Sequence, residues 1–274
     1  MSNPGGYFMI IAVIGTGNMG KALAAGFAGG YKGDIKINLY DVYEPSLKAA
    51  ASLTGGEAFT DMGSCVKDAD YVLMAVKPIN FDEALKEVSG FLKPGAVVLS
   101  IAAAVTTERI AGIIGSDRPY VRIMPNTPAQ VGAGVSAVCP VNLTDEQVNT
   151  VKELLGTCGE VIICDEKTLD NIGCVSGTGP AYVMLFIEAM ADAAVALGIK
   201  RDDALKIAAA TVMGSGKLCL ETGEHPAVLK DKVCSPGGTT IAGVKALEEC
   251  GLRNSVIKAV DAAAEKTKQM KSGK

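Results

Sequence analysis

Six residues, Gly15-Thr16-Gly17-Asn18-Met19-Gly20, follow the β-branched run Met9–Ile14 and lead into a helical pattern over Lys21–Phe27. Glycines at this spacing between a strand and a helix leave the chain little freedom in how it folds. Gly15 permits a tight turn, Gly17 lets the main chain come close to a pyrophosphate, and Gly20 lets the helix pack hard against the strand. The first-turn N–H groups of the helix then face the phosphates with favourable potential. A glycine-rich turn without a ligand is the plainer alternative, but the strand–turn–helix setting favours a dinucleotide. The whole loop, Gly15, Thr16, Gly17, Asn18, Met19 and Gly20, is therefore expected to bind a nicotinamide cofactor.

The pattern established there repeats. Apolar runs at Met9–Ile14, Ile35–Tyr40, Tyr71–Val76, Val97–Ile101, Tyr120–Met124, Val135–Val138 and Val161–Ile163 alternate with helical stretches. Continuous apolar runs suit strands covered on both faces, and strand–helix repetition implies a parallel sheet. After Asp165 the strands stop, and Ala181–Ile199, Arg201–Leu220, Thr239–Cys250 and Leu252–Lys271 read as helices. With 49% hydrophobic and 20% charged residues over 274 positions, there is material for two buried cores. The expected organisation is α/β: a dinucleotide-binding parallel-sheet domain over residues 8–164, then an all-α domain over 165–274. Ser2–Gly6 reads as a lead-in. Pro180 sits at a helix start, while Gly198 and Gly251 sit at helix ends. Ser176 and Thr178 precede Pro180, and at least one of them is expected to cap that helix. Val183-Met184-Leu185-Phe186-Ile187 is apolar on every face and needs burial all round, which so small a region can hardly supply alone; this points to a subunit interface, with a central helix of the domain itself as the alternative.

Composition excludes several classes. A net charge of −4 offers no basic patch for nucleic acid, and Lys266, Lys268, Lys271 and Lys274 read as the solvated end of a last helix. Eight cysteines without a CxxC pair, beside a single histidine, give a metal site almost nothing to use. They read as small core residues in a reducing, cytoplasmic compartment. Glu188 and Asp192 interrupt the longest apolar stretch and argue against a membrane span.

The second strand ends at Asp41, where a carboxylate accepts hydrogen bonds from the adenosine ribose hydroxyls. Such a carboxylate also repels a 2′-phosphate, by about 4 kcal/mol for unit charges roughly 4 Å apart at an effective dielectric of about 20. Lys48 is the first cation to follow, so NADH is expected to be preferred over NADPH, or at least accepted. A turn or cap role for Asp41 is the alternative. Ala75-Val76-Lys77-Pro78 lies at the carboxyl end of its strand, where ligands of open parallel sheets bind. Lys77 either neutralises phosphate or is simply solvated. Ala102 and Ala103, at the end of the next strand, have side chains small enough to leave room for the nicotinamide ribose.

Three more blocks complete the pattern: Arg122-Ile123-Met124-Pro125-Asn126-Thr127-Pro128, Ser176-Gly177-Thr178-Gly179-Pro180-Ala181-Tyr182, and Val233-Cys234-Ser235-Pro236-Gly237-Gly238-Thr239-Thr240. In order and spacing, with Gly15–Gly20 and Ala75–Pro78, they resemble the pyrroline-5-carboxylate reductase family from Met9 to about Lys268. The resemblance implies a Rossmann domain followed by a helical dimerisation domain, homodimers that often form decamers, and the last step of proline synthesis with NADPH or NADH. It also implies that the imino acid lies at Ser235–Thr240, with Glu166, Thr239 and Thr240 at the substrate site. One departure bears on the cofactor. Many members place Asn where this chain has Met62, near the ribose phosphate, so with Asp41 the usual NADPH preference is in question here.

The residues fit that chemistry. Ser235, Gly237, Gly238, Thr239 and Thr240 open a helix, and the glycine pair allows a nest of N–H groups able to hold a small carboxylate without arginine; a capped helix start with a glycine turn is the alternative, which explains Ser235 and Thr239 but not the glycine pair with a second threonine. A protonated imine is already electrophilic, so a positioned hydroxyl, Thr240, suffices to orient the nitrogen and relay a proton. His225 reads as a helix-start or packing residue. Two other readings stay open: a related hydroxy-acid dehydrogenase or imine reductase, and a non-catalytic nicotinamide-binding regulator. The first typically carries a Lys and an Asn one turn apart, which are not found near Ser176–Gly179. The second leaves the glycine nest unexplained.

Overall fold

The structure, a computed structural model, describes residues 8–271, so the Ser2–Gly6 lead-in and Lys274 lie outside the described residues. Eight strands form one sheet: β1 (Met9–Ile14), β2 (Ile35–Tyr40), β3 (Glu57–Ala58), β4 (Tyr71–Met74), β5 (Val97–Ser100), β6 (Tyr120–Met124), β7 (Gly134–Val141) and β8 (Gly159–Ile163). Around it run α1 (Asn18–Gly30), α2 (Glu44–Thr54), α3 (Met62–Val66), α4 (Phe81–Ser89), α5 (Thr107–Ile114), α6 (Asp145–Gly156) and α7 (Glu166–Ile172). The later helices are α8 (Gly179–Ala196), α9 (Arg201–Thr222), α10 (Pro226–Val233), α11 (Thr239–Glu249) and α12 (Leu252–Lys271).

The strand order is β3-β2-β1-β4-β5-β6-β7-β8. Its first six strands are parallel and follow the order of doubly wound dinucleotide-binding domains, with the chain reversing direction across the sheet between β1 and β4. The continuous apolar runs behave as expected. Ile11, Val13, Leu73 and Leu99 face one core with Leu23 and Phe27 of α1, while Ala12, Ile14, Val72, Met74 and Val98 face a second with Phe81 and Leu85 of α4. Each such large side chain removed from water contributes about 1.5–3 kcal/mol.

The sheet is not wholly parallel. β7 pairs with β6 antiparallel, Arg122 opposite Cys139, and β8 then lies parallel to β7. The connection over residues 125–133 is too short for a crossover, which needs about a dozen residues or more. Sequence patterning places strands but not their direction, and the two-residue β3 was too short to show. Boundaries also shift: the strand begun at Tyr71 ends at Met74, not Val76, and α1 begins at Asn18, not Lys21.

The described chain divides into two compact units. One runs to Gly177 and takes in the chain from Thr267; the other is Thr178–Lys266. The first unit extends past the expected 164/165 boundary because α7 packs on the sheet, with Leu169 buried against Ala137 and Cys139. In the second unit, α8 and α9 meet through Ala191, Ala204 and Ala208, side chains small enough to bring two helix axes close. Pro180 lies in the first turn of α8, and Gly198 and Gly251 take positive φ just past helix ends, as expected. Neither Ser176 nor Thr178 caps α8, contrary to expectation: the Ser176 hydroxyl donates to the Ile172 carbonyl, and Thr178 sits at the cap position in helical geometry without a side-chain cap. The chain enters α8 already coiled, through a π-turn at Gly173–Gly177, so no extended cap residue precedes it.

Met184 and Leu185 are 61% and 65% exposed within the protomer, with Val183 and Phe186 also open. One protomer thus leaves the segment uncovered, as the expected subunit interface requires, and does not bury it as a central helix of its own unit. Met213 and Leu220 of α9 and Ile257 of α12 add further exposed apolar surface. Half of the cysteines, Cys65, Cys139, Cys158 and Cys174, are buried, and all eight are free thiols. Burial and the nearby Asp61 push the Cys65 thiol up to about 12.

A Cβ added at Gly20 would fall onto the Gly15 carbonyl and within 2.9 Å of the Ala75 Cβ. Gly20→Ala is expected to destabilise the protein by about 2 kcal/mol or more, since backbone must move to admit the methyl. Urea denaturation with an unchanged midpoint would contradict this packing.

Candidate active site

The carboxyl ends of four neighbouring strands form one rim. Gly15 N donates to Tyr40 O at 2.8 Å, Ala75 N to Ile14 O at 2.8 Å, and Ile101 N to Met74 O at 3.2 Å. This brings together the segments holding Gly15–Gly20, Asp41, Ala75–Pro78 and Ala102–Ala103. Gly15 has φ +97, and a Cβ there would lie 2.7 Å from the Ala75 carbonyl oxygen. The turn is thus both left-handed and pressed against the main chain just beyond β4.

Gly17 caps α1 with extended geometry and no side-chain hydrogen bond, and no atom lies within 4 Å of where its Cβ would be. The start of the helix is therefore bare main chain, with open space before it. That fits a pyrophosphate, which takes both the N–H groups and the helix potential. Lys77 and Pro78 are exposed; Pro78 opens a 3-10 turn beyond β4 instead of ending the strand itself. Ala102 is buried, and Ala103 is exposed at the tip of its loop.

Asp41 works within the loop. Its Oδ2 accepts from Thr16 N at 2.6 Å and from Thr16 Oγ1 at 3.1 Å, and its Oδ1 accepts from Tyr43 N at 2.8 Å. Ser46 Oγ donates to the Thr16 carbonyl at 2.6 Å. Thr16 is fully buried, so these bonds fix the loop from beneath.

In the second unit, Ser235–Gly238 closes a turn with Gly238 N bonded to Ser235 O at 3.1 Å. Gly237 has φ +67, and a Cβ on Gly238 would strike the Ser235 hydroxyl. Gly238 starts α11 without any side-chain cap. Ser235, Gly237 and Thr239 are exposed, and Thr240 is half-buried. His225 caps α10, its Nδ1 accepting from Ala227 N at 3.2 Å, which is the helix-start role expected of it.

Sequence reasoning missed a hub around Arg122. This guanidinium is 1% exposed; Nη1 donates to Glu166 Oε1 at 2.9 Å and Nη2 to Asp170 Oδ1 at 2.8 Å. Glu166 also accepts from Thr107 N at 2.8 Å and from Thr107 Oγ1 at 2.6 Å. Burial raises the Tyr120 phenol and the Cys139 thiol, and the Glu166 charge raises both further. A cavity of about 140 Å³ lies beside the hub, lined by Arg122 and Asp170 together with Ala103, Ala104 and Met124. One signal was available: a single arginine inside the otherwise apolar strand Tyr120–Met124 requires a carboxylate partner. Nearby, Asn126 is buried and bridges Val135 N and the Ser176 carbonyl, tying the end of β6 to the turn before α8.

Known proteins match over the same two regions. The family model for pyrroline-5-carboxylate reductase dimerisation matches residues 166–270, and that for coenzyme F420-dependent NADP oxidoreductase matches residues 10–104. A pyrroline-5-carboxylate reductase of Escherichia coli K12 is 44% identical over 264 residues, covering 95% of this chain and 97% of its own. The chain belongs to the pyrroline-5-carboxylate reductase family. Solved structures of the family agree with its fold. That from Coxiella burnetii superposes with a TM-score of 0.86 at 33% identity, covering 94% of this chain and 97% of its own. That from Plasmodium falciparum, determined with NADP bound, gives 0.83 at 30% identity, covering 96% and 98%.

Alanine at Gly17 meets no protein atom but would occupy the space in front of α1. Gly17→Ala is expected to leave the urea midpoint unchanged while weakening dinucleotide binding about tenfold or more, some 1.4 kcal/mol. Calorimetric titration with NADH and NADPH would show it, and wild-type affinity in the variant would remove Gly17 from the site.

Proposed function

We propose that this protein reduces L-1-pyrroline-5-carboxylate to L-proline with NADPH or NADH, the last step of proline biosynthesis. The observation that carries the reading is the uncapped start of α11 behind Gly237 and Gly238, a main-chain cup for a small carboxylate in a chain that also has a dinucleotide loop. The bare α1 terminus and Gly15–Gly20 take the pyrophosphate, with Asp41 at the adenosine ribose. Ala75–Pro78 and Ala102–Ala103 flank the rest of the cofactor along the strand rim. When bound, the reduced nicotinamide supplies the hydride for the imine carbon.

The residues of this chain position and protonate the substrate. Main-chain N–H groups of Gly238, Thr239 and Thr240 hold the carboxylate, favoured by the α11 N-terminus, and Ser235 lines the turn. The Thr240 hydroxyl orients the ring nitrogen and relays its proton, a modest role because a protonated imine is already electrophilic. Glu166, which the resemblance assigns to the substrate, has both oxygens engaged by Thr107 and Arg122 and enters the mechanism through those contacts.

The exposed apolar surface of α8, α9 and α12 supports self-association as a homodimer, with a decamer of five dimers as a further step. Segment Glu166–Ala196 is long and apolar enough to cross a membrane by composition, yet Glu188 and Asp192 lie within it and Asp192 pairs with Arg201. Covering by a second copy accounts for that surface better than lipid does, and a cytoplasmic location goes with the free thiols.

Reduced-cofactor absorbance should fall when pyrroline-5-carboxylate is added and stay constant with a β-keto acid or with no substrate. Thr240→Ala is expected to lower kcat roughly 10- to 100-fold, the loss of one hydrogen bond to a charged group, with cofactor affinity nearly intact. Unchanged kinetics would remove Thr240 from the mechanism. Because of Asp41, kcat/KM with NADH is expected to equal or exceed that with NADPH; a strong NADPH preference would show that Asp41 does not discriminate.

A further inference from the structure

We propose that Glu166 and Arg122 are positioning residues for the nicotinamide end of the cofactor, acting through Thr107 on the loop between β5 and α5, and that Glu166 does not touch the substrate. This deepens the reductase reading and rests on it.

Glu166 is the first residue of α7, and Thr107 is the first residue of α5. Both Glu166 oxygens bind Thr107, one at the main-chain N–H and one at the hydroxyl. A carboxylate at a helix start is stabilised by the helix potential as well as by these bonds. Arg122 supplies the countercharge from β6 and uses its other arm on Asp170, one turn along α7. The start of α5 is therefore fastened to the sheet through a partly buried, charge-assisted chain anchored on the enclosed Arg122.

What that chain holds is a six-residue loop, Ile101–Thr106, which follows directly from the cofactor rim. Ala104 adopts φ +61, unusual for a residue with a side chain. Such geometry persists only when its surroundings over-determine it. Ala102 and Val105 are buried plugs on either side, Thr106 caps α5 through Arg109 N, and the Glu166–Thr107 pair pins the exit. Ala103 is thereby presented at the tip, exposed, beside the cavity that Arg122 and Asp170 also line. Releasing Thr107 lets the loop relax and moves the surface that the nicotinamide ribose rests on.

The test compares Glu166→Gln, Thr107→Val and the double variant with the wild type. NADH affinity is read by cofactor fluorescence, which requires no turnover, and kcat and KM are read with pyrroline-5-carboxylate. Each single variant should weaken NADH binding or lower kcat roughly tenfold, as misplacement of a reacting group does, with KM for the imino acid nearly unchanged. The double variant should be no worse than either single one, because both cut the same link. Thr107→Ser should restore wild-type values. A raised imino-acid KM in Glu166→Gln alone, with NADH affinity intact, would make Glu166 a substrate ligand and overturn the proposal. A lowered melting temperature with unchanged NADH affinity and kcat would overturn it too, as a purely structural role. Failure of the wild type to turn over pyrroline-5-carboxylate, with the NADH effects present, would count against the reductase reading and leave this coupling standing.

Discussion

Helix α1 starts where it does because Gly20 brings its Cα against the Gly15 carbonyl and Ala75. No other residue permits that approach. The contact fixes the first turn of α1 at the carboxyl edge of β1 and β4, where the strand order reverses and a cleft opens. The rim that follows, from Tyr40 through Ile14 and Met74 to Ile101, is laid down by parallel hydrogen bonding alone. Everything attributed to the cofactor sits on that line. The carboxylate cup proposed at Gly237–Gly238 would use the same physics in the helical unit: a glycine with positive φ, then a helix start without a side-chain cap.

The two charged clusters differ in kind. Exposed pairs such as Lys48–Glu44 contribute little, since solvent screens them and ordering two long side chains costs entropy. Arg122 is enclosed, and leaving such a charge without its partners costs several kcal/mol. Its two carboxylates come from one helix, so α7 is bound in both position and rotation. This accounts for α7 belonging to the sheet unit even though it follows the last strand.

The parts of the fold visible in the sequence are those that local pattern controls. The apolar runs of β1, β4 and β5 stand out because both of their faces are covered, and the glycine loop because its spacing has one mechanical explanation. The direction of β7 did not stand out, since it depends on the length of a connection and not on the residues of the strand. The Arg122 hub joins positions 44 and 48 residues apart to a bond spanning 59, and no local period reports such pairings. Asp41 was legible as a carboxylate at the end of β2, and Glu166 was named only through the family resemblance; neither was legible as a group already holding neighbouring main chain. The apolar stretch of α8 was read correctly as unusual, whereas its burial lay beyond what one protomer supplies.

Asp41 holds Thr16 by two bonds while Ser46 holds the Thr16 carbonyl. The carboxylate proposed to choose between two forms of the nucleotide is also a brace for the turn that holds Thr16. On the proposed reading, selectivity and architecture are written on one side chain. A lineage exchanging one electron carrier for the other could not simply erase the negative charge. It would have to rebuild the brace in the same step, and the threonine and serine beside it are where the matching changes would be found.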